Sequence, residues 1–147
     1  MGLMKYLDVP PVWLAVCVLF AWLIRWPSEV WGSILWLGLS CLVAAGCLFV
    51  AAVIEFARVR TTIVPRKAPS ALITGGIFQY SRNPIYLADL LILAGLALLW
   101  GSLVGLLLVP VLGRILHVRF IRGEEERLTE AFGEEFSSYC AQTRRWI

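Results

Sequence analysis

The chain has 147 residues, of which 60% are hydrophobic and 16% are charged, and its formal net charge is +3. Soluble domains average about 45–50% apolar and about 25% charged residues. The composition therefore excludes an ordinary soluble domain and favours an integral membrane protein. We expect one domain over residues 1–147. Because no small-residue cleavage site follows the first apolar run, we expect a retained anchor rather than a secretory signal peptide.

Four apolar stretches predict an all-α integral membrane bundle of about four transmembrane helices. They run from about residue 12 to 24, 33 to 57, 85 to 100 and 103 to 121. A spanning helix needs roughly 20 residues, and the second and fourth stretches meet that length. Trp26 and Trp100 would extend the shorter first and third stretches at the membrane interface. Two spans also fit the pattern if the first or third stretch does not cross.

The basic residues predict the orientation of this bundle. Arg25 lies between the first two stretches, and no Lys or Arg lies between the third and fourth. The other basic residues fall at the N-terminus, in the 58–84 loop, or from Arg114 onward. The positive-inside rule then places both termini and the loop in the cytoplasm, and we expect a bacterial inner membrane. Residues 1–57 would form two N-terminal spans, and residues 58–147 a ligand-binding core.

Two polar regions flank the last two apolar stretches. The first is the polar segment, residues 80–84 with sequence YSRNP, in which Pro84 suits the first turn of a helix. The second is the tail, which opens with three glutamates at 124–126. Apolar residues then recur at helical spacing, which predicts a C-terminal amphipathic helix on the membrane surface or folded back on the bundle. This apolar stripe consists of Leu128, Phe132, Phe136 and Tyr139.

The two polar regions are expected to meet at the cytoplasmic edge. If the fourth stretch continues helically into the tail, Arg114, His117 and Ile121 share one face with the glutamates at 124 and 125. Arg82 and Asn83 would then lie at the depth of those glutamates. Spacing alone leaves two interpretations open. The residues form either a structural ion pair that closes the bundle or a ligand-binding site, and Asp89 is likewise an interface acid or a site residue.

The sequence GGIFQYSRNPIYL, then a helical hairpin, then EEERLTEAFGEEFSSYCAQTRRWI resembles the isoprenylcysteine carboxyl methyltransferase family and its phospholipid methyltransferase relatives. The resemblance covers residues 74–147, and its two motifs appear in order. The residues that match the family pattern are Gly76, Phe78, Arg82, Asn83, Pro84, Tyr86, Glu124, Glu125, Leu128, Phe132, Gly133, Phe136 and Tyr139. Many members carry His in place of Asn83, and this chain is close to a minimal, prokaryotic-type core.

The resemblance implies a methyltransferase that uses S-adenosyl-L-methionine, bound by the two motifs at the cytoplasmic edge. It implies catalytic roles for Arg82 and Glu125. A guanidinium can pair with the cofactor's carboxylate, and a glutamate can hold its ammonium or ribose hydroxyls. The implied cofactor-binding residues are Thr74, Gly75, Gly76, Ile77, Tyr80, Arg82, Asn83, Pro84, Tyr86, Leu87, His117, Glu124 and Glu125.

The implied methyl acceptor is lipophilic, either a prenylcysteine-like carboxylate or a lipid amine, and enters from the bilayer. Membrane lipids are the other expected partners. Two alternatives stay open, namely an NADPH-dependent membrane reductase of the steroid or enoyl type and a non-catalytic small membrane subunit. The four cysteines form no C-x-x-C pair and only one histidine is present, so a zinc or iron–sulfur site is not predicted. We expect no metal and no nucleic-acid partner.

Overall fold

The computed structural model describes residues 8–25, 32–59 and 71–147, and the regular secondary structure of these residues is entirely helical. A 3₁₀-helical turn, Gly76–Gln79, precedes the third α-helix, and a π-helical segment, His117–Ile121, joins the last two. The all-α prediction is thus confirmed for the described residues. The α-helices are α1 (Pro10–Leu23), α2 (Gly32–Val59), α3 (Pro84–Leu99), α4 (Leu103–Leu116) and α5 (Arg122–Gln142).

Two helices in the described part of the chain are long and apolar enough to cross a membrane. One is α2, and the other is the continuous helical run Leu103–Gln142 that contains α4 and α5. The apolar helices α1 and α3 have 14 and 16 residues, which is shorter than the roughly 20 residues of a typical span. Crossing by α1 and α3 therefore stays a prediction. Trp26 lies outside the described residues, whereas Trp100 caps the C-terminus of α3.

Helices α2 and α3 pack with their backbones in close contact at a pair of glycines. A Cβ atom added to Gly38 would lie 3.0 Å from the carbonyl oxygen of Gly95, and one added to Gly95 would lie 2.9 Å from the carbonyl oxygen of Gly38. Small residues allow such an approach, which increases van der Waals contact between helices. Ala45 and Ala52 are also buried on α2. The contact fixes the position of α3, and α3 begins at the polar segment.

A second core joins α1 to the hairpin of α3 and α4. Ser102 lies at the turn of the hairpin, where its Oγ accepts a hydrogen bond from the backbone N–H of Gly105 and donates one to the carbonyl oxygen of Ala21. This serine therefore caps α4 and ties the hairpin to α1. The buried core residues are Cys17, Ala21, Tyr86, Leu93, Leu112, Leu116, Phe120 and Ile121.

Two irregularities of the backbone position the glutamates and the tail. The π-helical segment adds a residue to its turn. Its last residue, Ile121, is fully buried, while Arg114 is exposed. Arg114 therefore does not share with Ile121 the helix face that the sequence analysis expected. Gly133 has φ 49° and ψ −115°, which breaks α5 into two stretches.

The tail is helical over Arg122–Gln142, apart from this break, and its amphipathic character at a membrane stays a prediction. Phe136 and Tyr139 are buried, and Leu128 and Phe132 are half-buried. The location of this helix on a membrane surface stays a prediction.

Candidate functional site

The polar segment, residues 80–84, contacts the C-terminal segment, residues 143–147. The backbone N–H of Arg82 donates to the carbonyl oxygen of Arg144 at 3.0 Å. The carbonyl oxygen of Arg145 accepts from Nδ2 of Asn83 at 3.0 Å and, over a longer contact of 3.4 Å, from Oγ of Ser81. Ser81 and Asn83 are buried. The polar residues before α3 therefore hold the backbone of the C-terminal segment in place.

The second half of α5 reinforces this junction. The hydroxyl of Tyr139 donates to the carbonyl oxygen of Phe78 at 2.6 Å, and both residues are buried. Oγ1 of Thr143 donates to the carbonyl oxygen of Gln79 at 3.4 Å. Pro84 is fully buried at the first turn of α3, as expected for a residue without an N–H to donate. The chain on either side of Arg82 is thus fixed by tertiary hydrogen bonds.

The charged centre of the junction is Glu125, which lies between two arginines. Nε and Nη2 of Arg145 donate to its two carboxylate oxygens at 2.9 and 2.7 Å. Nη1 of Arg82 lies 3.5 Å from Oε1 of Glu125 and also donates to Sγ of Cys140. The hydrogen bonds from Arg145 to Glu125 raise the pKa of the arginine further above its usual value, so its guanidinium is fully charged. We call Arg82, Glu125 and Arg145 the charged triad.

The neighbouring glutamate has a different partner. Oε2 of Glu124 accepts a hydrogen bond from the hydroxyl of Tyr86 at 3.1 Å. This bond joins the first turn of α3 to the start of α5. The consecutive glutamates therefore face different groups, since Glu124 faces α3 and Glu125 faces the C-terminal segment.

A cavity of about 460 Å³ opens beside the charged triad. Its volume falls within the roughly 300–1,000 Å³ of small-molecule sites. His117, which lines the cavity, has a buried Nδ1 without a hydrogen-bond partner. Nε of Arg82 is also buried and unpaired, but Arg82 does not line the cavity. Since buried polar groups are normally hydrogen-bonded, Nδ1 of His117 is the unpaired nitrogen that a ligand in the cavity could reach. The cavity is lined by His117, Arg122, Glu125, Glu126, Thr129, Glu130 and Arg145.

The structure brings together about half of the residues that the sequence analysis assigned to a cofactor. They meet at the contact between the start of α3, the π-helical segment, the start of α5 and the C-terminal segment. Leu87 lies in the first turn of α3, where its N–H bonds to the carbonyl oxygen of Asn83. The residues at this contact are Arg82, Asn83, Pro84, Tyr86, His117, Glu124 and Glu125.

The remaining assigned residues, 74–77 and Tyr80, lie towards α2 or solvent. Gly76 has φ +56°, and a Cβ added there would lie 2.4 Å from Oε1 of Glu55 on α2. Phe78, in the same 3₁₀-helical turn, packs on Phe56 of α2 with ring centroids 5.7 Å apart. Tyr80 is 73% exposed. The glycine-containing loop therefore docks on α2, and its part in cofactor binding stays a prediction.

Arg145 is a prominent site residue that sequence reasoning did not assign. The pair Arg144-Arg145 lies in the tail beside Trp146. In the structure Trp146 packs against the core that contains Tyr86 and Leu93. In the structure Arg144 is exposed and Arg145 is half-buried. Residue spacing alone does not reveal this difference between the two arginines.

The described residues form a helical protein with two helices long and apolar enough to cross a membrane and with a cluster of charged side chains beside a cavity. Residues 33–135 match the sequence profile described as phospholipid methyltransferase. Because this match covers well over half of the chain, the protein belongs to the phospholipid methyltransferase family. The resemblance seen in the two motifs is thereby confirmed, and membership indicates a methyltransferase. Searches of curated proteins and of solved structures found no significant match.

Proposed function

We propose that this protein is an integral membrane methyltransferase that uses S-adenosyl-L-methionine and methylates a lipophilic acceptor. The observation that carries the proposal is the charged triad, which lies beside a cavity in a member of a methyltransferase family. The acceptor would be a prenylcysteine-like carboxylate or a lipid amine.

The residues present fit the charged end of the cofactor. Its methionine portion carries one ammonium and one carboxylate, so its site needs both signs of charge close together. Glu125 provides the carboxylate for the ammonium. Arg82 provides positive charge, and its Nη1 lies 3.5 Å from Oε1 of Glu125. Tyr86 and Glu124 offer a hydroxyl and a carboxylate for the ribose. The unpaired Nδ1 of His117 is a further donor or acceptor for the bound molecule.

When bound, S-adenosylmethionine supplies a methyl group on a positively charged sulfur. The protein's own task is to orient the two reactants and to exclude water, because displacement at a methyl carbon depends on alignment more than on acid–base catalysis. A carboxylate acceptor needs no base. An amine acceptor must lose a proton, and His117, Glu124 and Glu125 are the nearby groups able to receive one.

For the bundle we propose four membrane-crossing helices with both termini in the cytoplasm of a bacterial cell, within one domain that spans residues 1–147. Arg58 at the end of α2 and the basic residues after α4 support this orientation. The outward face of α4 carries exposed Leu103, Leu107 and Val111, along which an acceptor would enter from the bilayer. A reporter fused after Ile147 should read cytoplasmic, and a periplasmic reading would contradict the orientation.

The decisive test of the function is the choice of ligand. In detergent or nanodiscs, isothermal calorimetry should show binding of S-adenosylhomocysteine, the demethylated cofactor, and none of NADPH. Binding of NADPH alone would indicate the membrane reductase instead. Failure to bind either ligand, in protein with a cooperative melting transition, would indicate a non-catalytic subunit.

A further inference from the structure

We infer that Arg145 is a cofactor-binding residue that exchanges partners, releasing Glu125 and binding the carboxylate of the cofactor's methionine portion. The inference rests on the proposed function and adds to it a residue to which the sequence analysis gave no role. Arg145 makes two short hydrogen bonds to Glu125. Both bonds use the Nε and Nη2 edge of the guanidinium, so a ligand carboxylate that binds this edge in a bidentate manner must displace Glu125 from it.

The two arginines of the charged triad differ in their access to the cavity. The side chain of Arg145 lines the cavity and is 37% exposed, whereas that of Arg82 is 15% exposed. Arg82 also contacts Cys140, so it approaches Glu125 from the interior. Within the charged triad, Arg145 and Glu125 therefore face the cavity, and Arg82 does not line it.

The exchange conserves charge pairing. Before binding, the guanidinium of Arg145 pairs with the carboxylate of Glu125. After binding, the guanidinium pairs with the ligand's carboxylate, and Glu125 pairs with the ligand's ammonium. Arg82 remains beside Glu125 throughout, so the glutamate is never left without a positive neighbour. No charge is buried alone, which is the costly outcome when one member of an ion pair is lost.

The exchange requires movement of one side chain only. The carbonyl oxygen of Arg145 is bound by Asn83 and Ser81, and the adjacent Trp146 packs on the core. The backbone of Arg145 is therefore held in place while its side chain, on the cavity side, can turn. This arrangement suits a residue that positions a ligand more than one that only fastens the end of the chain.

The test compares two ligands on the full-length protein in detergent. S-Adenosylhomocysteine carries the ammonium and carboxylate, whereas 5′-deoxy-5′-methylthioadenosine keeps the nucleoside and thioether and lacks both. Arg145→Ala should weaken the first ligand about 10- to 100-fold, as expected for loss of a charge-assisted contact. It should change the affinity for the second ligand by less than about twofold. Arg144→Ala is the matched control, since this exposed neighbour carries the same charge, and it should leave both affinities unchanged.

Each other outcome overturns the inference. Unchanged affinity for S-adenosylhomocysteine would mean that Arg145 makes no contact with it, and tighter binding would mean that Arg145 only blocks the site. Equal weakening of both ligands together with a lower melting temperature would assign a structural role. If Arg145→Ala does not fold, Arg145→Lys replaces it; it should bind the first ligand more weakly, because lysine cannot make the bidentate contact. If wild-type protein binds neither ligand, the proposed function itself fails, which is a distinct result.

Discussion

Replacing Glu125 with glutamine tests the charged triad at its centre. The substitution keeps the size of the side chain and removes its negative charge. Arg145 then loses the acceptor of one of its two hydrogen bonds of 2.9 and 2.7 Å and the negative charge that both faced, and Arg82 loses an opposite charge at 3.5 Å. The two guanidinium groups would face each other across a neutral amide.

The expected cost to ligand binding exceeds the expected cost to folding. A hydrogen bond to a charged group contributes about 1.5–3 kcal/mol, so loss of the contact to the cofactor's ammonium should weaken S-adenosylhomocysteine about 10- to 100-fold. For folding, Arg145 is 37% exposed, and exposed ion pairs contribute only about 0.2–1 kcal/mol. Arg82 is more buried, but its Nη1 lies 3.5 Å from Oε1 of Glu125, which is longer than the distance of a short hydrogen bond. We therefore expect Glu125→Gln to lower the free energy of unfolding by about 1–2 kcal/mol.

Calorimetry with S-adenosylhomocysteine and a melting curve in the same detergent separate these two effects. The matched control is Glu135→Gln, an exposed glutamate on α5 beyond the break at Gly133, which should change neither quantity. Wild-type affinity in Glu125→Gln would refute a role for Glu125 in binding. A variant that loses binding only because it no longer melts cooperatively would show that the triad is a structural ion-pair cluster, the other interpretation that the sequence left open.

Two further substitutions test how the loop before α3 is held. Gly76→Ala should destabilise the protein by about 1–2 kcal/mol, because Gly76 has φ +56°, which disfavours any residue with a Cβ, and because the side chain of Glu55 would have to move away from the new methyl group. Gly46→Ala, with no neighbour within 4 Å, is its thermal-melting control, and equal melting temperatures for the two variants would contradict the contact with α2. Tyr139→Phe should cost about 1–3 kcal/mol, because it leaves the buried carbonyl oxygen of Phe78 without its 2.6 Å donor. Unaltered chemical unfolding of this variant, followed by tryptophan fluorescence, would show that the hydroxyl contributes nothing.

The helices and one ion pair were predictable because they depend on local pattern. The apolar stretches gave the helices of the described chain, and the placement of Arg82 and Glu125 near the ends of adjacent helices gave their contact. Arg145 was not predictable in this way. Its contact with Glu125 depends on the break at Gly133 and on hydrogen bonds from Ser81 and Asn83, which lie far away in sequence.

The glycine loop illustrates the same limit. Gly75-Gly76 predicted a close approach of the backbone to some group, and the group present in the structure is the side chain of Glu55. The pattern therefore identified the special backbone conformation but not the atoms that face it. In the same way, no local pattern marked the π-helical segment, which places Ile121 in the core and leaves Arg114 exposed.

The contact between Gly38 and Gly95 gives the site a remote point of adjustment. Gly95 is on the same helix as Pro84, roughly 16 Å along the axis at 1.5 Å per residue. A methyl group at position 95 would overlap the carbonyl oxygen of Gly38, so α3 would have to shift away from α2 or slide along it. Because Arg82, Asn83 and Tyr86 are attached to the start of α3, such a shift would move them relative to Glu125 and Arg145 without substituting any of these residues. The geometry of the charged triad can therefore change through substitutions in the apolar part of the bundle.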